Sequence, residues 1–247
     1  MSSKYRALIL SAPGSRGERH FEHGLNSVGF DSEILSVADI VDYRIDLDQL
    51  CLKYKVLVVT GGNTYSSVLG GGKAFAIKMQ HLFRWNLQKF AERGGLVLGV
   101  GTGFQALLQM NVFGDDFTLR INETAQSESR WVKAVPIGNR CIWLKEMGTI
   151  ELPLNLRDTE FVIEPGAFVE AKGKIERLGL ACLKTGDPEK IIGLCDPSGR
   201  IFGLTPHPEY FLNWTNAEDW FMNPTRAAAP GQGYAIFENA AKYCEQS

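Results

Sequence analysis

Long apolar segments are absent from this sequence of 247 residues. The apolar run at residues 7–10, near the N-terminus, has only four residues. It is too short for the core of a signal peptide or for a membrane-spanning helix. We therefore expect a cytoplasmic protein that has no signal peptide and no membrane-spanning segment.

A large excess of charge of either sign is also lacking, because the formal net charge is only −2 at pH 7. Nucleic acids and anionic membrane surfaces attract strongly basic proteins. The charge therefore argues against a general nucleic-acid or membrane-surface binder, and we expect neither a nucleic acid nor a membrane as a partner. The composition, 45% hydrophobic and 22% charged, is that of an ordinary globular protein. The length suits one large domain or two small ones.

No CxxC pair occurs, and the cysteines are few and scattered along the chain. They are Cys51, Cys141, Cys182, Cys195 and Cys244. An odd number without paired spacing favours neither a disulfide framework nor a zinc site. We expect all of them to be small buried side chains in a reducing cytoplasm, with no metal bound. The Gly-Gly-Gly-Lys run at residues 70–73 is followed by Ala74, so the phosphate-loop pattern is incomplete and no nucleotide cofactor is expected.

The first 110 residues alternate short apolar runs with helical patterns. The runs lie at residues 7–10, 33–37, 56–60 and 96–100. Phe21, Leu25 and Val28 form one helical stripe, and a longer stripe extends from Phe75 to Phe90. This alternation predicts an α/β fold with a mostly parallel central sheet flanked by helices. Ligands in such folds bind beyond the carboxyl ends of the strands.

The second half has a different pattern, which predicts an antiparallel extension of the sheet. Two strands are expected around Gly138-Asn139, and Asp196-Pro197-Ser198-Gly199 forms the turn of a hairpin. Further strands are expected at residues 150–154, 167–171, 191–195 and 200–204, with a final helix at 234–243. No linker or repeat interrupts the chain, so we expect a single domain over residues 1–247.

The stretch Gly-Val-Gly-Thr-Gly at residues 99–103 follows a predicted buried strand and precedes a helix. Such an elbow presents the side chain of its tip residue beside the helix N-terminus, where backbone N–H groups stabilise an anion. The tip here is Gly101, which has no side chain. On the pattern alone, tight packing of a strand against a helix is the more common reason for such glycines.

A second candidate motif is Thr-Pro-His-Pro-Glu at residues 205–209. His207 and Glu209 would lie on one face of an extended segment. A carboxylate in that position can orient an imidazole that acts as a general base. Alternatively, the segment is a proline-bracketed loop in which both side chains are exposed.

Together, and in this order, the elbow and the His-x-Glu motif resemble the class I glutamine amidotransferases. The chain is most similar to the glutaminase part of phosphoribosylformylglycinamidine synthase, an enzyme of purine biosynthesis. The stretches that carry the resemblance are GGNTYSSVLGGGKAFA, LVLGVGTGFQALLQM, SESRWV and GLCDPSGRIFGLTPHPE. The resemblance implies a flavodoxin-like fold and a synthetase subunit as partner.

The resemblance also implies roles for individual residues. His207 matches the base and Glu209 the carboxylate that orients it. Gly61 and Gly62 match the loop that contributes to the oxyanion hole, and the backbone N–H of Thr102 matches its other donor. Gln105 matches a glutamine one turn into the helix.

Several positions depart from the family pattern, above all Gly101, which matches the nucleophilic cysteine. Asp158 lies near the place of a family histidine, Tyr210 stands where an arginine is usual, and residues 64–67 differ from the family's Ser-Tyr-Gly-Asp. We therefore expect a protein that is inactive as a glutaminase and has a structural, regulatory or ligand-binding role, with a small amide or carboxylate as ligand.

Two alternatives remain open at the level of sequence. The chain could be a working glutaminase subunit that supplies ammonia for purine biosynthesis. It could also be a different hydrolase, in which Ser66 or Ser67 acts together with His207.

Overall fold

A computed structural model describes residues 5–66, 70–114, 117–121, 127–157, 159–163, 179–186 and 190–246. Its main feature is a nine-stranded sheet. The strands of this sheet, in spatial order, are β3 Phe30–Ser36, β1 Tyr5–Ser11, β4 Val56–Val59, β6 Leu96–Val100, β13 Ile201–Leu204, β12 Ile191–Cys195, β11 Ala181–Thr185, β8 Ser127–Pro136 and β9 Ile150–Arg157. Short two-stranded pairs join β2 Ser15–Arg16 to β5 Gly61–Gly62, and β7 Phe117–Ile121 to β10 Thr159–Ile163.

The sheet is parallel in one half and antiparallel in the other. β3, β1, β4, β6 and β13 are parallel neighbours. From β13 outward, β12, β11, β8 and β9 pair antiparallel. The parallel strands follow the order typical of flavodoxin-like folds, in which the first strand lies between the second and third. The predicted fold class is therefore confirmed.

Helices cover the parallel half of the sheet. They are α1 Glu18–Ser27, α2 Val37–Asp42, α3 Leu47–Lys53, α4 Gly71–Ile77, α5 Leu87–Glu92, α6 Thr102–Gln109 and α7 Tyr234–Gln246. A π-helical turn covers Lys78–Leu82, and 3₁₀ turns cover Ile142–Leu144, Pro208–Tyr210, Trp214–Asn216, Trp220–Met222 and Pro224–Arg226. Among the described residues, no helix is long and apolar enough to cross a bilayer.

Two apolar cores lie on opposite faces of the sheet, because successive strand residues point to opposite sides. Leu8 and Leu10 of β1 belong to the core that α4, α5 and α6 cover. Ala7 and Ile9 belong to the core that α1 and α7 cover. This arrangement places β4 and β6 under helices on both faces, which explains their unbroken runs of Val and Leu.

Two expectations about the elements are corrected. The second strand predicted after Gly138-Asn139 is wrong, because Ile142–Leu144 forms a 3₁₀ turn and β8 pairs with β9 instead. The long stripe from Phe75 to Phe90 is not one helix. It is split by the π-helical turn, by Arg84 at a φ of 56°, and by Asn86, whose side chain caps α5. The strand expected at 167–171 lies outside the described residues.

Candidate active site

The elbow between β6 and α6 is fixed by backbone hydrogen bonds at Gly101. This residue has φ 55° and ψ −115°, which favours glycine. Its N–H donates to the carbonyl of Leu204 at the end of β13, at 3.0 Å. Its own carbonyl accepts from the N–H of Gln105, at 3.1 Å. The tip is therefore held between the first turn of a helix and the neighbouring strand.

Space for a side chain exists at Gly101 and is absent at its flanking glycines. A Cβ atom added at Gly101 would lie 3.4 Å from Cε1 and 3.6 Å from Nε2 of His207, and 3.8 Å from the Cα of Gly61. These are ordinary van der Waals distances. A Cβ at Gly103 would lie 1.9 Å from the carbonyl oxygen of Val59, and one at Gly99 would lie 2.5 Å from a methyl of Leu107. The flanking glycines allow close packing, whereas the tip faces an imidazole.

His207 and Glu209 form a buried pair beyond the carboxyl end of β13. Nδ1 of His207 lies 2.7 Å from Oε1 of Glu209. His207 is 6% exposed and Glu209 is 1% exposed. The alternative of an exposed loop is therefore wrong. The expected extended segment is also corrected, because Pro208–Tyr210 forms a 3₁₀ turn, with proline at a position that favours it.

The environment of His207 favours a protonated ring. Burial alone would lower its pKa, but the charge of Glu209, the hydrogen bond to Glu209 and a backbone hydrogen bond to Asn155 outweigh burial and raise the pKa above the ordinary value. The N–H of His207 donates to the carbonyl of Pro153, at 2.8 Å. β9 therefore holds His207 in position from the antiparallel half of the sheet.

The loop after β4 lies against the elbow. A Cβ added at Gly61 would lie 2.7 Å from the carbonyl oxygen of Val100 and 3.5 Å from the backbone nitrogen of Thr102. The hydroxyl of Thr102 donates to the carbonyl of Gly62 at 2.7 Å. The N–H of Thr102 lies in the first turn of α6, where a helix offers no intrahelical acceptor. Loop and helix end thus meet beside Gly101.

Gln105 has a different position from the other predicted site residues. It is half-buried, and a Cβ added at Gly72 of α4 would lie 2.4 Å from its Cβ. Its side chain therefore packs against the start of α4. Gly101, His207, Gly61 and Thr102 come together directly, and Glu209 joins them through His207.

Sequence patterns missed the aromatic and polar surroundings of this pair. The ring of Tyr210 stacks on His207, with centroids 5.3 Å apart and planes at 24°. Burial, together with the charges of Glu209 and Glu18, raises the pKa of Tyr210 to about 12, so its hydroxyl stays protonated at neutral pH. A Cβ at Gly17, the residue before α1, would lie 3.2 Å from Oε1 of Glu209. One signal for these surroundings was present in the sequence, which was Tyr210 at a position where an arginine is usual in the family.

The β1–α1 loop adds a polar cluster next to the β4 loop. The hydroxyls of Ser11 and Ser15 both donate to Oε1 of Glu18, at 3.2 Å for Ser11. β2 pairs with β5, so that Ser15 lies opposite Gly62. Ser67 and Asp158, named from the sequence, lie outside the described residues.

Comparison with known proteins identifies the family. The family model for the CobB/CobQ-like glutamine amidotransferase domain matches residues 4–178 and 181–244. The chain belongs to this family. It is 26% identical to a phosphoribosylformylglycinamidine synthase subunit PurQ of Methanococcus maripaludis, over 96% of this chain and 97% of that protein. It is also 26% identical to a PurQ subunit of Dehalococcoides mccartyi, over 99% of each.

A solved structure supports the same fold. A chain of PurLQS from Thermotoga maritima superposes with a TM-score of 0.72 at 23% identity, and the match covers 98% of this chain and 99% of that one. A glutamine amidotransferase from the same organism matches with a TM-score of 0.57 at 11% identity. The glutamine amidotransferase family and the PurQ-like fold are thus established together.

Proposed function

We propose that this PurQ-like member of the glutamine amidotransferase family binds a small amide or carboxylate but does not hydrolyse glutamine. In this proposal Gly101 occupies the position of the nucleophilic cysteine. The chain then acts in the cytoplasm as a structural, regulatory or ligand-binding subunit of a synthetase. The names of its relatives, subunits of phosphoribosylformylglycinamidine synthase, support a partner of that kind.

One observation carries the proposal. A Cβ atom at residue 101 would lie 3.6 Å from Nε2 of His207, but this residue is a glycine and has no side chain. Attack on an amide carbonyl requires a nucleophilic atom within reach of a base. His207 has the carboxylate partner of a general base, but the residue it faces carries neither a thiol nor a hydroxyl.

Loss of the nucleophile removes most of the catalytic rate. In hydrolases with a nucleophile and a base, deletion of the nucleophile alone costs several orders of magnitude. Thr102 does not replace the nucleophile. Its hydroxyl donates to the carbonyl of Gly62 at 2.7 Å, and Thr102 is the first residue of α6, on the helix side of the elbow. Covalent catalysis through an acyl intermediate therefore has no starting atom at the elbow.

Groups that would bind a ligand remain. The start of α6 presents backbone N–H groups and the positive end of a helix dipole toward the space above Gly101. His207, whose pKa is raised, adds a donor at Nε2 when it is protonated. A carboxylate or the oxygen of a primary amide suits these donors. Ligand binding without hydrolysis is therefore chemically consistent with the residues that are present.

An assay of glutamine hydrolysis with and without the synthetase subunit tests the proposal. We expect ammonia release at the level of a no-enzyme control in both cases. In the same preparation, saturating glutamate should raise the melting temperature, since a ligand that binds only the folded state stabilises it. Ammonia release at ordinary enzyme rates would overturn the proposed loss of catalysis. An unchanged melting temperature would overturn ligand binding.

The intact His207–Glu209 pair favours a second candidate, a working glutaminase subunit. Their separation of 2.7 Å is what a functional base requires. In that case a nucleophile other than residue 101 must reach the substrate, and glutamine should be turned over. The hydrolysis assay distinguishes the two candidates directly.

The third interpretation, a serine hydrolase, is tested by a fluorophosphonate probe. The backbone N–H of Ser66 donates to the carbonyl of Asn63 at 3.0 Å, in the turn that follows β5. We expect no labelling of Ser66 or Ser67. Labelling that His207→Ala abolishes would favour this interpretation.

A further inference from the structure

Three cysteines that are distant in sequence meet inside the antiparallel half of the sheet. Cys141 directly precedes the Ile142–Leu144 turn, Cys182 lies on β11, and Cys195 ends β12. Their sulfur atoms all lie within 4.8 Å of one another. All three side chains are buried, at most 3% exposed. We call them the cysteine cluster.

The cluster is separate from the candidate active site. It lies beside the turn that leads from β12 into β13, whereas His207 follows the other end of β13. Cys195 is tied to this region because its N–H donates to the carbonyl of Leu180 at 2.8 Å. None of the three residues takes part in the elbow or in the His207–Glu209 pair. Any function of the cluster is therefore additional to that of the elbow.

Local irregularities in the backbone bring the three sulfurs together. The pairing of β11 with β12 shifts register between Ala181 and Leu183, as at a β-bulge. Consecutive residues of a regular strand point to opposite faces, yet Cys182 and Leu183 both join the core under α1 and α7. Cys141 is held nearby because the N–H of Ile142 donates to the carbonyl of Gly199 at 3.0 Å.

The thiols influence each other's ionisation. Hydrogen bonds from Cys141 and Cys182 lower the pKa of Cys195, since two S–H groups stabilise its thiolate. Burial raises the pKa of Cys141 and of Cys182, so they keep their protons unless a cation is present. The positive charge of Arg140 also favours the Cys195 thiolate.

We propose that the cysteine cluster binds one soft, thiophilic metal ion, such as Zn²⁺ or Cu⁺, through three thiolates. Sulfurs that are each about 2.3 Å from such an ion lie roughly 3.8–4.0 Å apart. The sulfurs here lie within 4.8 Å of one another, so a contraction of less than about 1 Å completes the site. Thiolates are the ligands that select these metals. The proposal departs from the expectation, based on cysteine spacing, that no metal is bound.

The carboxylate of Asp196, which follows Cys195 in the sequence, does not complete the coordination. Oδ1 of Asp196 accepts from the N–H of Ile201 at 2.8 Å, and Oδ2 accepts from the N–H of Ser198 at 3.0 Å. Both oxygens stabilise the turn before β13. The site therefore offers three sulfurs in an apolar surrounding. Each thiol that binds releases its proton to solvent, so metal affinity increases with pH.

Metal titration of the reduced full-length chain tests the proposal. Zn²⁺ is titrated against a chromogenic chelator, and Cu⁺ against its own chelator without oxygen. We expect one ion per chain for at least one of the two metals, with affinity at least tenfold weaker in Cys182→Ala and in Cys195→Ala. Cys244→Ala is the matched control, because Cys244 is equally buried outside the cluster, and it should bind as the wild type does.

X-ray absorption of the metal-loaded wild-type chain provides a measurement that does not depend on variants. We expect three sulfur ligands at about 2.3 Å. A metal with only nitrogen or oxygen ligands would overturn the proposal. So would wild-type affinity in Cys195→Ala, or the failure of the wild type to bind either metal. In those cases the thiols serve as small apolar side chains in the core.

Discussion

Residue 101 lies at the tip of the elbow and faces His207. A glycine at φ 55° relieves the strain that any larger residue would bear there. The space beside it remains open toward His207, 3.4 Å from the position of a Cβ. The site therefore combines a relaxed backbone with an imidazole that faces a residue without a side chain. A protein that needed the thiol would have to tolerate the strain.

Substitution at Gly101 should separate strain from chemistry. We predict that Gly101→Cys and Gly101→Ala both lower the free energy of unfolding by about 1–3 kcal/mol, because each places a side chain at a positive φ. Urea denaturation measures this loss. Only the cysteine variant should gain rapid alkylation by iodoacetamide at residue 101, through a thiolate next to His207. An alanine variant as stable as the wild type would contradict the strain.

Titration of His207 gives a second prediction at the residue scale. Its folded-state pKa is raised, so its contribution to stability is complete below about pH 6.5, the ordinary pKa of histidine. The contribution is lost as the pH rises through the raised pKa. We expect Glu209→Gln to lower the pKa of His207, measured by NMR of the ring C–H protons, with His207→Asn to assign the signal. An unchanged pKa would exclude Glu209 as a cause.

At the scale of elements, local signals predicted what local contacts stabilise. The turn Asp196-Pro197-Ser198-Gly199 was correctly predicted, since the side chain of Asp196 accepts from Ser198 within the turn itself. The hairpin at Gly138-Asn139 was wrong because distant contacts override the local turn signal. Nε1 of Trp143 donates to the carbonyl of Arg200 at 3.0 Å, which holds this segment in a 3₁₀ turn beside β13.

The candidate site was likewise predictable only in part. Gly101 and His207 each follow a strand of the parallel half, and the carboxyl ends of such strands share one edge of the sheet. The stacking of Tyr210 on His207 and the approach of Gly17 to Glu209 were not predictable. The approach of Gly17 to Glu209 depends on how the β1–α1 loop packs against a turn almost two hundred residues later.

The hydroxyl of Thr102 links α6 to the loop after β4. We predict that Thr102→Val lowers the free energy of unfolding by about 1 kcal/mol, because it removes the donor to the partly buried Gly62 carbonyl. It should also weaken glutamate binding, measured by calorimetry, since the loop loses its position beside the elbow. Thr102→Ser keeps the hydroxyl and should behave as the wild type. A Thr102→Ser variant as destabilised as Thr102→Val would show that the effect is not specific to the hydroxyl.

At the scale of the whole molecule, one sheet connects the two halves of the chain. β13 pairs with β6 on one side and with β12 on the other. The core under α1 and α7 contains Ala7 from the first strand and Leu154 from β9. We propose that residues 1–247 form one domain. This continuity explains why a base held by β9 reaches an elbow built by β6.

A single domain should unfold in a single cooperative step. We predict coincident guanidinium transitions by far-ultraviolet circular dichroism and by tryptophan fluorescence. Trp85 reports on the parallel half, where it is buried, and Trp131 on β8 reports on the antiparallel half. Single-tryptophan variants that retain one of these residues should have the same midpoint. Two separate midpoints would indicate two domains.

The most direct test of the central claim is intact-mass analysis of the wild-type chain during incubation with glutamine, with Gly101→Cys treated in parallel. We expect that the wild-type chain neither acquires a glutamyl adduct nor releases ammonia. Only the cysteine variant has an atom that can form the adduct. A glutamyl adduct on the wild-type chain, accompanied by conversion of glutamine to glutamate, would contradict the claim that the elbow has lost its nucleophile.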